Sequence, residues 1–148
     1  MNPFTLFALA ALATGALIPI QAATNTQLNQ HIGNVAYSSF LLFAVGLVGL
    51  AGVLLVKASP LPSLADVRAA PWYSYSGGLI VATYVFSITF LAPRMGLANA
   101  ICFVVSGQIL AAVCIDHFGW INTPISSITP QRLLGVGLMI GGLFLARH

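Results

Sequence analysis

The first apolar run covers residues 3–23, PFTLFALAALATGALIPIQAA, and contains no charged residue. Four more follow at residues 34–56, 71–92, 96–115 and 132–146. A helix crossing about 30 Å of hydrocarbon needs about 20 mainly apolar residues, so the pattern predicts five membrane-spanning helices. The runs are continuous. A barrel strand would alternate over about ten residues, so a β-barrel does not fit. In lipid a helix also satisfies its backbone N–H and C=O groups internally. The predicted class is therefore all-α, with residues 1–148 forming one integral membrane domain. The first run ends in small residues as a secretory signal peptide does, but it lacks the positive n-region and is read as a retained span.

Between the runs lie short segments, which favour antiparallel neighbours. Residues 24–33 are polar and uncharged and read as a loop. Pro93-Arg94-Met95 reads as a tight turn. Residues 57–70 and 116–131 carry paired prolines, Pro60 and Pro62, then Pro124 and Pro130. Only these two segments have room for a short interfacial helix. Small residues recur at Ala11/Gly15, Gly46/Gly49/Gly52, Gly77/Gly78 and Gly137/Gly141. The last pair is a GxxxG pattern, and it marks either a helix–helix or subunit contact or simply the abundance of glycine in membrane helices.

Composition sharpens this picture. Charged residues make up 5% of the chain and hydrophobic residues 59%, with five Lys+Arg against two Asp+Glu. No charge precedes Lys57. A soluble domain carries roughly a quarter charged residues, so an ordinary cytosolic enzyme is excluded. The net charge of +3 rests on too few residues to indicate a nucleic-acid partner. With five spans, Lys57, Arg68 and Arg132 fall on the side of the N-terminus, and Arg94 and Arg147 on the other. Three against two orients a protein weakly under the positive-inside rule. Two readings stand: an N-terminus held in the cytoplasm by that excess, or dual topology with copies pairing antiparallel, as in inverted-repeat transporters.

Polar residues inside a membrane need a reason. Gln21 and Asn25 are four residues apart and share a face if the first helix runs that far. Their amides suit either a solute or interfacial water and backbone. Gln108 stands mid-span, as cavity lining or interhelical glue. Tyr84 is also deep, and its hydroxyl needs a partner. Trp72, with Tyr73 and Tyr75, suits an interfacial belt or a solute contact. Asp116 and His117 titrate and are candidates for proton coupling; against that, they form an interfacial turn with Asp116 on loop backbone or Arg132. Cys102 and Cys114 lie about 18 Å apart on one predicted helix and cannot bridge. They read as small buried residues. His31 is isolated and His148 terminal. The chain holds no metal-like spacing, phosphate loop, nucleophile elbow or carboxylate pair, so neither a cofactor nor enzymatic chemistry is expected.

Several of these residues fall into a recognisable order. PIQAATNTQL, with Gln21, Asn25 and Leu28, resembles the Q-x-x-x-N-x-x-L signature of the YdcZ family of the drug/metabolite transporter superfamily. SSFLLFAVG with Phe40 and Gly46, PWYSYSGG with Pro71, Trp72, Gly77 and Gly78, GQILAAVCIDHFG with Gly107, Gln108 and Asp116 to Gly119, and QRLLGVGLMIGG with Arg132 and Gly135 follow. The resemblance covers nearly the whole chain. It departs at Tyr73, where a second Trp is expected, and at Val81, where a Gly is usual. The resemblance implies a bacterial inner-membrane protein. It also implies a five-helix half of a ten-helix transporter, working as a homodimer and related to four-helix multidrug exporters. Those exporters exchange protons through a first-helix Glu. This chain has no acid there, so that mechanism does not transfer.

The expected function is movement of a small organic solute, neutral or weakly cationic, by alternating access between two bundles in the bilayer. Gln21, Asn25, Trp72, Tyr84 and Gln108 are the expected cavity residues. The rival classes are a non-transporting scaffold or regulatory subunit and a lipid-handling protein.

Overall fold

The computed structural model describes residues 2–146. Arg147, used above in the charge count, and His148 lie outside the described residues. Six α-helices are present: α1 Pro3–Ile32, α2 Val35–Val56, α3 Leu64–Ala69, α4 Gly77–Met95, α5 Leu97–Phe118 and α6 Pro130–Ala146. Two short 3-10 turns, Trp72–Ser76 and Trp120–Asn122, lead into α4 and follow α5. Four helices are long and apolar enough to cross a membrane: α1, α2, α4 with its leading 3-10 turn, and α5. α6 is also apolar but shorter, at 17 residues. The short α3 falls in the first of the two proline-bearing segments. Ser63 is its N-cap, its Oγ accepting from Asp66 N at 3.1 Å while the hydroxyl donates to Asp66 Oδ2 at 2.6 Å.

Two boundaries differ from expectation. Residues 24–32 are not a loop; α1 runs on through Ile32. At 1.5 Å per residue, 30 residues measure about 45 Å, some 15 Å more than the hydrocarbon is thick. That excess is about the length of the polar stretch, so the polar residues here continue the helix rather than end it. The stop is Gly33, left-handed at φ 74°, whose N–H reaches Asn29 O at 2.7 Å. Asn34 then caps α2, its Oδ1 accepting from Ala36 N and Tyr37 N. The second difference is at Pro93, which lies inside α4. The turn is made by Gly96, at φ 85° and ψ 142°, a conformation open to glycine.

The chain divides into two compact units at Arg94–Met95. In the first, α1 packs antiparallel against α2 across the two-residue turn, and α1 meets α4 through side chains. In the second, α5 packs against α6. Phe103 and Phe144 meet edge to face at 5.4 Å, and the Cys102 thiol donates to Leu143 O at 2.8 Å. Hydroxyls within the helices are satisfied by the preceding turn: Thr14 on Ala10 O, Thr83 on Leu79 O, Ser106 on Cys102 O.

The small-residue pairs do not make these contacts. A Cβ placed on Gly15, Gly46, Gly49, Gly52, Gly77, Gly78, Gly137 or Gly141 would meet nothing within 4 Å among the described residues. Against α5, α6 turns Arg132, Val136, Ile140 and Leu143 inward and leaves Gly137 and Gly141 exposed; a subunit contact through the two glycines stays an expectation.

Gly119 is different. It ends α5 at φ 62°, with Ile125 Cγ1 2.7 Å from where its Cβ would sit. The left-handed φ sets the minimum cost, and the contact with Ile125 Cγ1, an atom next to the branched Cβ, adds to it. Gly119→Ala is expected to destabilise the protein by about 1–2 kcal/mol or more, read as an earlier midpoint in detergent unfolding.

Candidate functional site

The core of the first unit is unusually polar. Its buried residues are Ala22, Asn25, Ser38, Ser39, Val85, Ile88, Thr89 and Ala92. Half of these carry polar side chains, in a chain where hydrophobic residues are the majority. Asn25 is 2% exposed, and its Nδ2 donates to Thr89 Oγ1 on α4 at 2.7 Å. The Thr89 hydroxyl in turn donates to Val85 O at 2.8 Å. This arrangement makes two hydrogen bonds. Reversing the amide would keep only one, so the pair holds Asn25 with its nitrogen toward α4. Asn25 Oδ1 is then a buried acceptor without a partner among the described residues. The donor Gln21 Nε2, the hydroxyls Thr26 Oγ1 and Ser39 Oγ, and the acceptor Asn29 Oδ1 are likewise buried and unpartnered among the described residues. Native proteins leave few buried polar atoms unpaired, and each such atom calls for an explanation.

The positions explain why they gather. Gln21, Asn25 and Asn29 recur every four residues, one stripe down α1. Pro19, two residues before Gln21, has no N–H for the Gly15 carbonyl, yet α1 continues through it. Beside the stripe lies a groove of about 330 Å³ between α1 and α2, lined by Gln21, Thr24, Asn25, Leu28, Leu41, Leu42 and Val45. Leu28 lies toward the α1–α2 turn and Gln21 further from it, as Leu41 and Val45 do on the antiparallel α2. The groove thus has an apolar wall from α2 and an amide edge from α1, the usual make-up of a small-molecule site.

Of the residues expected at a cavity, the structure brings together Gln21 and Asn25. Trp72 and Tyr84 belong to the same unit but do not line this groove. Trp72 is 84% exposed, edge to face with Tyr73. Tyr84 is half-buried on α4. Gln108 is exposed, midway along α5 in the second unit. Thr89 and Asn29 were missed by reading the chain. Asn29 had a signal, the four-residue repeat. Thr89 had none, since a membrane threonine normally bonds its own preceding turn, as Thr89 also does.

Asp116 and His117 form a clamp at the end of α5. Asp116 Oδ2 pairs with the Arg132 guanidinium. Arg132 Nη1 also donates to Ser126 O at 2.8 Å and Ser126 Oγ at 3.0 Å. Ser126 N returns a bond to Asp116 O at 2.8 Å. His117 Nδ1 accepts from Ile128 N at 3.2 Å, which leaves the proton of the neutral ring on Nε2. Together these tie the 116–132 segment to both α5 and α6. A carboxylate at a helix C-terminus is disfavoured by the dipole, and the Arg132 cation offsets that. Among the described residues no group of three His, Cys, Asp or Glu side chains is placed to hold a metal.

Residues 6–145 match the model of a family described as "Putative inner membrane exporter, YdcZ". The chain belongs to the YdcZ family. It is a multi-pass protein of the inner membrane, in a family described as inner-membrane exporters. A search of curated proteins and of solved structures finds no match to it. In this YdcZ-family chain, both the α1 stripe and the Asp116–Arg132 clamp fall inside the matched segment.

Proposed function

We propose that the protein exports a small organic solute and that the groove between α1 and α2 is where the solute is held. The observation that carries this reading is the set of unpartnered amide atoms on Gln21 and Asn25 beside an apolar wall. A scaffold subunit gains nothing from them, because interhelical glue works only when its hydrogen bonds are made. The solute meets leucine and valine on one side and neutral amides on the other, so it is small, amphipathic and not strongly charged. Transport proceeds by alternating access, with two copies forming the full translocation unit and the near-balanced positive charges permitting an antiparallel pair. Trp72, Tyr84 and Gln108 contribute contacts in that assembly. No acid lines the groove, so solute binding there is not in itself a proton exchange. Asp116 serves the clamp.

The test is flux from proteoliposomes across a panel of amphipathic metabolites and drugs. Gln21→Leu is expected to lower the flux of a carried solute by about tenfold or more, the value of one buried hydrogen bond to a polar ligand. Unchanged flux in Gln21→Leu, or a purified protein that carries nothing in the panel, favours the scaffold reading.

A further inference from the structure

Resting on the groove as the solute site, we propose that its cargo is defined by a hydrogen-bond donor: a neutral solute that carries an N–H next to a carbonyl on one polar edge, with an apolar remainder, as in a secondary amide or lactam. Three observations lead there. First, Thr89 sets the polarity of Asn25. Its hydroxyl is committed to Val85 O, so it accepts from Asn25 Nδ2, and Asn25 Oδ1 is left as an acceptor that the protein does not fill. Second, Gln21, one turn back on the same stripe and lining the same groove, has its Nε2 buried and unpartnered. Asn25 therefore offers an acceptor whose orientation Thr89 fixes, and Gln21, whose amide no hydrogen bond orients, can turn its nitrogen to the same ligand as the donor. Third, the remaining lining is Thr24 and four aliphatic side chains, with no charged group.

Ligand classes are sorted by this pairing. A carboxylate or phosphate brings only acceptors and leaves Asn25 Oδ1 facing negative charge. A quaternary ammonium brings charge but no N–H. A tertiary amide accepts from Gln21 but leaves the buried Asn25 oxygen unpaired. A cis secondary amide answers both groups, its carbonyl accepting from Gln21 Nε2 and its N–H donating to Asn25 Oδ1. Rejection of an analogue lacking one polar hydrogen is strong where the site's own group is buried, because that group then loses water and gains nothing.

Thr89 is the positioning residue in this scheme. It touches no solute and does not line the groove; it decides which end of Asn25 faces the ligand. The probes are ε-caprolactam and N-methyl-ε-caprolactam, titrated into the full-length protein in lipid nanodiscs. The readout is the methyl NMR shifts of Leu41, Leu42 and Val45. In the unaltered protein the lactam is expected to bind about tenfold or more tightly than its N-methyl analogue. Thr89→Val frees the amide to turn its nitrogen toward a ligand carbonyl, so the preference is expected to shrink to about twofold or less. Thr89→Ser keeps the hydroxyl and restores it. Equal binding of both probes to the unaltered protein overturns the donor rule and leaves the groove standing as the solute site. A preference unaltered in Thr89→Val overturns the role of Thr89. Failure of both probes to shift any of the three methyls overturns the donor rule and the groove assignment together.

Discussion

Asn25→Leu is expected to abolish transport while leaving the protein as stable as before, or about 1 kcal/mol more stable. The sign follows from counting bonds. The substitution removes the Asn25–Thr89 hydrogen bond, a type worth about 0.6 kcal/mol on average within membranes. It also removes a buried acceptor with no partner, whose desolvation costs about 1–3 kcal/mol. Thr89 is not orphaned, because its hydroxyl still donates to Val85 O. Leucine is close in size to asparagine and suits a site bordered by Leu28, Leu42 and Val45. The check is a paired measurement on one preparation, solute flux in proteoliposomes and the midpoint of detergent unfolding. A residue kept at a cost in stability is a residue kept for binding. Were Asn25 only a structural tie between α1 and α4, stability would fall and flux would survive in whatever protein remained folded.

Arg94→Ala is expected to change how the protein sits in the membrane. If α6 crosses along with the four longer helices, positive charges stand three against two, and Arg94 is one of the two. Its guanidinium lies 3.5 Å from the Phe90 ring centroid and donates to Phe90 O, and no carboxylate pairs with it among the described residues. Removing it makes the balance three against one. The positive-inside rule acts through such differences over short loops. In the proposed dual-topology state, reporter cysteines near each terminus, in a Cys102→Ala/Cys114→Ala background, label from both faces. In Arg94→Ala they are expected to label from one. Because an antiparallel pair needs both orientations, flux falls in parallel, and co-expression with a copy biased the other way restores it. One-sided labelling of the unaltered protein would leave a parallel assembly.

Much of the architecture was readable along the chain because the bilayer is a severe solvent. It demands about 20 apolar residues per crossing and punishes charge, so α1, α2, α4 and α5 announce themselves as long uncharged runs. What was misread was local. The polar stretch after Ala23 has the composition of a loop, yet polarity does not end a helix. Backbone hydrogen bonding does not depend on side-chain polarity, and α1 continued until Gly33 could adopt a left-handed φ. At Pro93 the same confusion ran the other way: a residue that often breaks helices lies inside α4, and Gly96 makes the turn. For Gly137 and Gly141, spacing suggested close packing, but which face of α6 meets α5 is set by the bulky side chains on the other side.

From its sequence alone this protein was bound to be an all-helical membrane protein with weakly biased charges, a polar stripe at Gln21 and Asn25, and no acid in its first helix. These follow from solvent transfer and helical periodicity, which are local properties. The partner of Asn25 was decided only by the tertiary structure. Sixty-four residues separate it from Thr89, and neither periodicity nor composition encodes that meeting. A side-chain meeting of α1 and α4 brings the two together, and their hydrogen bond determines which end of an amide is left unpaired.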